Sequence, residues 1–177
     1  METSAVIIGG GLGGLFTGAI LSKEGVKVTV IEKNPTVGGG LQSFRRFGET
    51  FDTGMHVIGG MQEGGNIRRI CEYLGIFDKV HVMDVDPDVI DTLYFAEDKK
   101  VYKIAQGKEG FVNALSESFP DQTDNLRAYV DAVYAIVDEL DMFYLRPSQD
   151  FIFVHSEDFM MSADGFIAKY ISDRKLC

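Results

Sequence analysis

The first clear block in the hydrophobic pattern is Ala5-Val6-Ile7-Ile8. Four apolar residues in a row, three of them β-branched, predict a short strand buried on both faces. A glycine cluster ends it, and Phe16 to Leu21 carries on with helical character until Gly25 supplies a stop. Val26 to Ile31 alternates enough to be a second buried strand, broken by Asn34-Pro35 because the residue before a proline is restricted. Ser43 to Phe47 and Glu49 to Thr53, with Gly48 between them, predict two short strands around a tight turn.

Asn66 is the expected N-cap of a helix whose apolar face is Ile67, Ile70, Cys71 and Leu74, closed by Gly75. On that face Cys71 reads as a packed hydrophobe. Val80 to Val85 alternates imperfectly, and Asp86-Pro87-Asp88 reads as a turn. Val89 to Ala96 and Val101 to Ala105 flank a charged loop and predict a hairpin. Gly110 precedes an expected short helix carrying Phe111, Leu115 and Phe119, ended by Pro120. Asp121 or Thr123 would cap the longest helix, Asp124 to Leu145, about 33 Å at 1.5 Å per residue. Its stripe is Leu126, Val130, Val133, Val137, Leu140 and Tyr144, with Asp131, Asp138, Glu139 and Asp141 off it, and the expected partner is its own domain. Arg146-Pro147 ends it, residues 151–154 suit a short strand, and Phe166 to Ile171 another helix.

With 177 residues and 45% hydrophobic composition the chain can bury one core. A net charge of −10 argues against nucleic acid as a partner. The N-terminus lacks the basic start of a signal peptide, and no span is long and apolar enough for a bilayer. Cys71 and Cys177 are far apart, and the expected setting is cytoplasmic with reduced thiols. His81 and His155 have no second ligand at helical or hairpin spacing, so no metal site is expected.

The glycine cluster carries the most chemical information. Gly9, Gly11 and Gly14 fit G-x-G-x-x-G, in which the first turns the chain out of the strand and the second lets a pyrophosphate approach the backbone. The third lets the helix lie close to the sheet, and the helix N-terminus offers N–H groups to phosphate. Glu32 ends the second strand eighteen residues after Gly14, near the spacing of the acid that grips a ribose. The alternative is a glycine-rich turn with a solvated Glu32. Gly38-Gly39-Gly40 can pass close to a cofactor or form a flexible loop, and the residues leave both open. After Ile31 no further βαβ unit follows, so the expected fold is α/β: a Rossmann-like FAD/NAD(P)-binding βαβ unit, then part of an α+β substrate domain. The expected division is residues 1–80 and 81–177, an incomplete domain completed by sequence beyond Cys177.

Residues 6–60 together resemble the FAD-dependent family of phytoene desaturases, carotenoid isomerases and all-trans-retinol saturases, with the flavin amine oxidases as wider relatives. The resemblance rests on Val6 to Leu15, Val30-Ile31-Glu32-Lys33, Val37-Gly38-Gly39-Gly40 and Phe51-Asp52-Thr53-Gly54-Met55-His56. Asp52 to Asn66 is most similar to the retinol saturase branch, and fainter similarity runs to the last residue. The resemblance implies extended FAD, with Gly9, Gly11, Leu12, Gly13 and Gly14 at the pyrophosphate and Glu32, followed by Lys33, at the adenosine ribose. Gly38-Gly39 would be the second glycine pair, with Gly40 and Leu41 next along the cofactor. Many members place a phosphate-touching arginine where this chain has Gly40. Gly54, Met55 and His56 would approach the flavin, and a later family segment that holds it would come from the missing C-terminal part.

The expected function is an oxidoreductase moving a hydride between FAD and a carbon–carbon bond of a polyene or isoprenoid lipid, this piece alone being inactive. The expected partners are an apolar small molecule and the remainder of the same enzyme, with peripheral membrane contact left open. His56 is a weak proton-delivering candidate, the bland alternative being a packing histidine. The rivals are a flavin amine oxidase or protoporphyrinogen oxidase-like enzyme, and a dinucleotide-binding module without turnover.

Overall fold

The computed structural model describes residues 3–55, 57–97, 99–147 and 155–177. The chain divides into two compact units, Met1–Val82 and Met83–Cys177. In the first, β1 (Ser4–Ile8) pairs in parallel with β2 (Lys27–Ile31), Ile8 opposite Ile31. The crossover is α1 (Leu12–Lys23), so the helix begins inside the glycine motif, earlier than the apolar pattern indicated. Gly18 of α1 is buried, and a Cβ there would meet Ile7, Val30 and Val28 side chains at 3.3–3.5 Å. The helix backbone therefore lies directly on one face of the strands. The other face is open, with Val6 65%, Ile8 88% and Ile31 53% exposed. The expectation of strands buried on both faces is thus corrected: one crossover helix covers one face, and period-two alternation leaves every other residue outside.

β3 (Ser43–Arg46) and β4 (Glu49–Asp52) form an antiparallel hairpin in which Phe44 stacks on Phe51, with ring centroids 5.5 Å apart. Phe47 (φ 54°) and Gly48 (φ 85°) are the two turn residues. Positive φ at both is the primed turn that matches strand twist, which is why Phe47 leaves the predicted strand. α2 (Asn66–Leu74) starts at Asn66, with Gly65 in the cap position. A Cβ at Gly65 would come within 2.3 Å of the Gly60 carbonyl oxygen. The cap thus has to be glycine, and Asn66 moves inside, its Oδ1 accepting from the Ile67 N–H at 2.8 Å. Gly75 ends α2 with φ +69°. Cys71 is buried (4% exposed), and that burial, with the Glu72 charge adding, pushes its thiol up. It therefore holds little thiolate.

Residues 80–85, which end the first unit and begin the second, form no strand. The Asp86 turn is present: the Val89 N–H donates to the Asp86 carbonyl at 3.3 Å and the Asp88 N–H to Asp86 Oδ1 at 3.0 Å. β5 (Asp91–Phe95) and β6 (Lys100–Ile104) make the expected hairpin, though Asp98 lies outside the described residues. α3 (Gly107–Ser116) begins before Gly110, turned in by Gly107 at φ +78°, and Phe119 lies beyond its end. α4 (Thr123–Asp138) has 16 residues, about 24 Å, against the expected 33 Å. Its last turn tightens into i−3 bonds, Glu139 N–H to Ile136 and Leu140 N–H to Val137. Asp138, Glu139 and Asp141 oppose the helix dipole there, so Leu140 and Tyr144 drop off the stripe. Gln122 sits in the cap position, while the Thr123 hydroxyl donates to the Pro120 carbonyl at 2.9 Å and Asp121 belongs to a 3-10 turn.

Two short helices follow, α5 (Glu157–Met160) and α6 (Ala163–Tyr170), the latter capped by Ser162, whose Oγ accepts from the Gly165 N–H at 3.1 Å. That cap starts the helix ahead of Phe166. The expected strand at 151–154 lies outside the described residues. Val112, Leu115, Leu126, Val130 and Ile171 form one buried cluster, with Ile104, Tyr129 and Ile167 packed against it. Among the described residues no helix is long and apolar enough to cross a membrane, and no three His, Cys, Asp or Glu side chains group as metal ligands.

Candidate dinucleotide-binding site

Gly10 is the buried pivot of the first unit. Its N–H donates to Glu32 Oε2 at 2.7 Å, and its carbonyl accepts from the Gly38 N–H at 2.7 Å. A Cβ on Gly10 would meet Val37 Cγ1 at 3.0 Å and Glu32 Oε2 at 3.2 Å. The first glycine turn, the acid and the second glycine cluster thus meet at one residue. Gly11 and Gly38 form a parallel bridge, and Gly38 (φ +122°) takes a conformation that suits glycine alone, while Gly39 (φ +58°) lies in the left-handed region that favours glycine. The segment Gly38-Gly39-Gly40 is thus docked on the first turn.

The glycines of the motif differ in what demands them. Gly9 leaves β1 at φ +105°, its N–H donating to the Ile31 carbonyl at 2.7 Å. At Gly14 a Cβ would lie 2.0 Å from the Gly9 carbonyl oxygen, so helix and turn touch through bare backbone. At Gly11 it would find only Gly39 Cα, at 4.0 Å, and at Gly9 and Gly13 nothing within 4 Å. Space for a ligand remains outside that turn. The Leu15 N–H donates to the Gly11 carbonyl at 2.9 Å as the first bond of α1, and Gly11 has no capping side chain. The N–H groups of Leu12, Gly13 and Gly14 precede that bond and have no intrahelical acceptor.

Glu32 is half-buried, with Oε1 accepting from the Asn34 N–H at 2.8 Å. The N–H groups of Asn34 first, then Gly10, hold its carboxyl below the ordinary value of 4.5. Each carboxylate oxygen keeps a lone pair for a further donor such as a sugar hydroxyl. The N–H donors, the room outside Gly9, Gly11 and Gly13, and this carboxylate fit a dinucleotide.

Gly40 and Gly54 lie together: the Met55 N–H donates to the Gly40 carbonyl at 3.1 Å, and a Cβ on Gly54 would meet that oxygen at 3.5 Å. Met55 and Leu41 are exposed at 46% and 43%, and Lys33 is exposed beside Glu32. The structure therefore brings Gly9 to Gly14, Glu32, Gly39, Gly40, Gly54 and Met55 together, while Lys33 and Leu41 join only through their neighbours. His56 lies outside the described residues. The sequence reading assigned Gly10 and Val37 no role of their own and missed Gln42. Gly10 falls on an unassigned position of the motif, Val37 entered only as the start of the second glycine segment, and nothing marks Gln42 before the loop is folded.

Residues 7–74 match a family model described as NAD(P)-binding Rossmann-like domain. An all-trans-retinol 13,14-reductase from Macaca fascicularis is 35% identical over 137 residues, 76% of this chain and 22% of that protein. A chloroplastic prolycopene isomerase from an Oncidium hybrid cultivar is 27% identical over 170 residues, 96% of this chain and 28% of that protein. The chain is a relative of the retinol reductases and prolycopene isomerases. The family resemblance read from residues 6–60 is borne out, and so is its extension toward the last residue. A Pyrococcus furiosus protein of known crystal structure aligns at TM-score 0.44 with 27% identity, over 56% of this chain and 24% of that one. The chain spans about a quarter of the length of the relatives it matches. The Rossmann-like match and these relatives together indicate a flavin or nicotinamide dinucleotide as cofactor.

Proposed function

We propose that this chain is the nucleotide-binding part of an FAD-dependent oxidoreductase acting on a carbon–carbon bond of a polyene or isoprenoid lipid. The observation that carries the reading is the meeting of both glycine segments and the Glu32 carboxylate at Gly10. In this assignment the N–H groups opening α1 hold the diphosphate and Glu32 accepts from ribose hydroxyls. Gly54 and Met55, tied to Gly40, run along the cofactor toward its flavin end. When bound, FAD supplies hydride transfer, while the protein binds, orients and excludes water. Residues 81–177 belong to the substrate domain in this reading, and the kinship with retinol reductases and prolycopene isomerases points to an apolar polyene.

The test uses the full-length protein. It is expected to purify yellow and to exchange electrons with retinol or a carotenoid under anaerobic conditions. Glu32→Gln should weaken FAD binding about tenfold by removing a charge-assisted hydrogen bond. A colourless protein whose melting temperature ignores added FAD would instead be a module without turnover. Reduction by amines but not by polyenes would make it an amine oxidase.

A further inference from the structure

The second glycine segment raises a physical problem. Gly38, Gly39 and Gly40 lose more conformational freedom on ordering than any other residues, yet the loop adopts one docked conformation. The side chain that spans it is Gln42. Its Nε2 donates to the Thr36 carbonyl at 2.7 Å, closing the loop across its mouth. Its Cγ lies where a Cβ on Gly38 would come within 3.1 Å, so it packs over the residue that bonds Gly10. Its N–H donates to the Gly39 carbonyl at 3.2 Å, and its carbonyl accepts from the Thr53 N–H at 2.9 Å. Thr53 leads straight into Gly54 and Met55, which return to Gly40.

We propose that Gln42 is a positioning residue that latches the second glycine loop against the first turn, and so sets the preference for diphosphate-bearing ligands over nucleosides. The inference rests on the dinucleotide reading above and adds a residue to it. With the latch closed, Gly38 stays bonded to Gly10 and the backbone facing the diphosphate is ordered before the ligand arrives. Without it the loop samples other glycine conformations, and binding has to order it. Glu32 is held by the N–H groups of Gly10 and Asn34, neither of which bonds to Gln42, so a ligand reaching only the ribose position is expected to sense the latch least.

The test titrates flavin-stripped full-length protein with ADP and, separately, with adenosine. Gln42→Met keeps length and neutrality but removes the donor, and Gln42→Ala removes the side chain. Both are expected to weaken ADP about three- to tenfold, the range of one lost hydrogen bond, while adenosine changes less than about twofold. Unchanged ADP affinity in Gln42→Met overturns the latch, as does equal weakening of both ligands, which marks general destabilisation. A parent protein that binds neither ligand fails the dinucleotide reading itself, a result distinct from either.

Discussion

The two halves of the chain are held together by different physics. Residues 83–177 carry a side-chain core, in which Val112, Leu115, Leu126, Val130 and Ile171 are buried together. Among the described residues up to Val82, Cys71 is the one buried hydrophobic side chain, and the chain touches itself through bare backbone at Gly14 and Gly65. Charge divides the same way: eight acidic and eight basic residues in the first half, nineteen acidic and nine basic in the second. The first half is therefore neutral, and the second carries the whole net charge of −10. The first half is shaped to leave a space open, the second to fill one.

That contrast predicts two patterns of mutational damage. Leu126 is 2% exposed, and Leu126→Ala should cost about 2–5 kcal/mol through lost transfer energy and a residual cavity. Urea unfolding of the isolated variant measures it, and a loss below 1 kcal/mol would mean the second half has no rigid core. Gly14→Ala comes next, at about 1–3 kcal/mol, because the new methyl meets the Gly9 carbonyl oxygen and the gain in helix propensity is smaller. Gly11→Ala, three residues away, should cost less than about 1 kcal/mol, since Gly11 sits at φ −78° and an added Cβ would meet only Gly39 Cα, at 4.0 Å. It should nevertheless lose flavin on purification, because the methyl occupies the ligand's space. Flavin-to-protein absorbance ratios alongside melting curves separate the two glycines. If both variants behave alike, the open space at Gly11 has no role.

The smallest effect is the titration of Glu32. Its carboxyl is held below 4.5 in the folded chain, so its contribution is fully present above that value and fades as pH falls through the lowered one. The Gly10 amide resonance should report this with a midpoint below pH 4.5. A midpoint at or above 4.5 would detach the carboxylate from the turn.

Local patterns carried much of this into view. The strand, glycine turn, helix, strand and acid were legible because each needs its own residue types in a short order. The hairpin at Ser43–Asp52 was legible from its alternation and Gly48. Ends were less so: α4 stops at Asp138 through a tightened last turn and an unfavourable run of acids, with no proline or glycine there to announce it. The same holds for α2, whose cap shifts to Gly65 because the Gly60 carbonyl comes back against it.

The residues read in order were enough to specify the βαβ unit, since glycine spacing and a strand-end acid act over a few tens of residues. Only the tertiary structure decided that Gly38–Gly40 docks, that Gly10 is the pivot, that Gln42 closes the loop, and that one face of the first sheet stays open. Those outcomes depend on which groups meet across 22 to 28 residues of chain, Gly10 with the Glu32 carboxylate and with the Gly38 N–H, and the Gly10 side of both bonds is main chain, which leaves no mark on residue type.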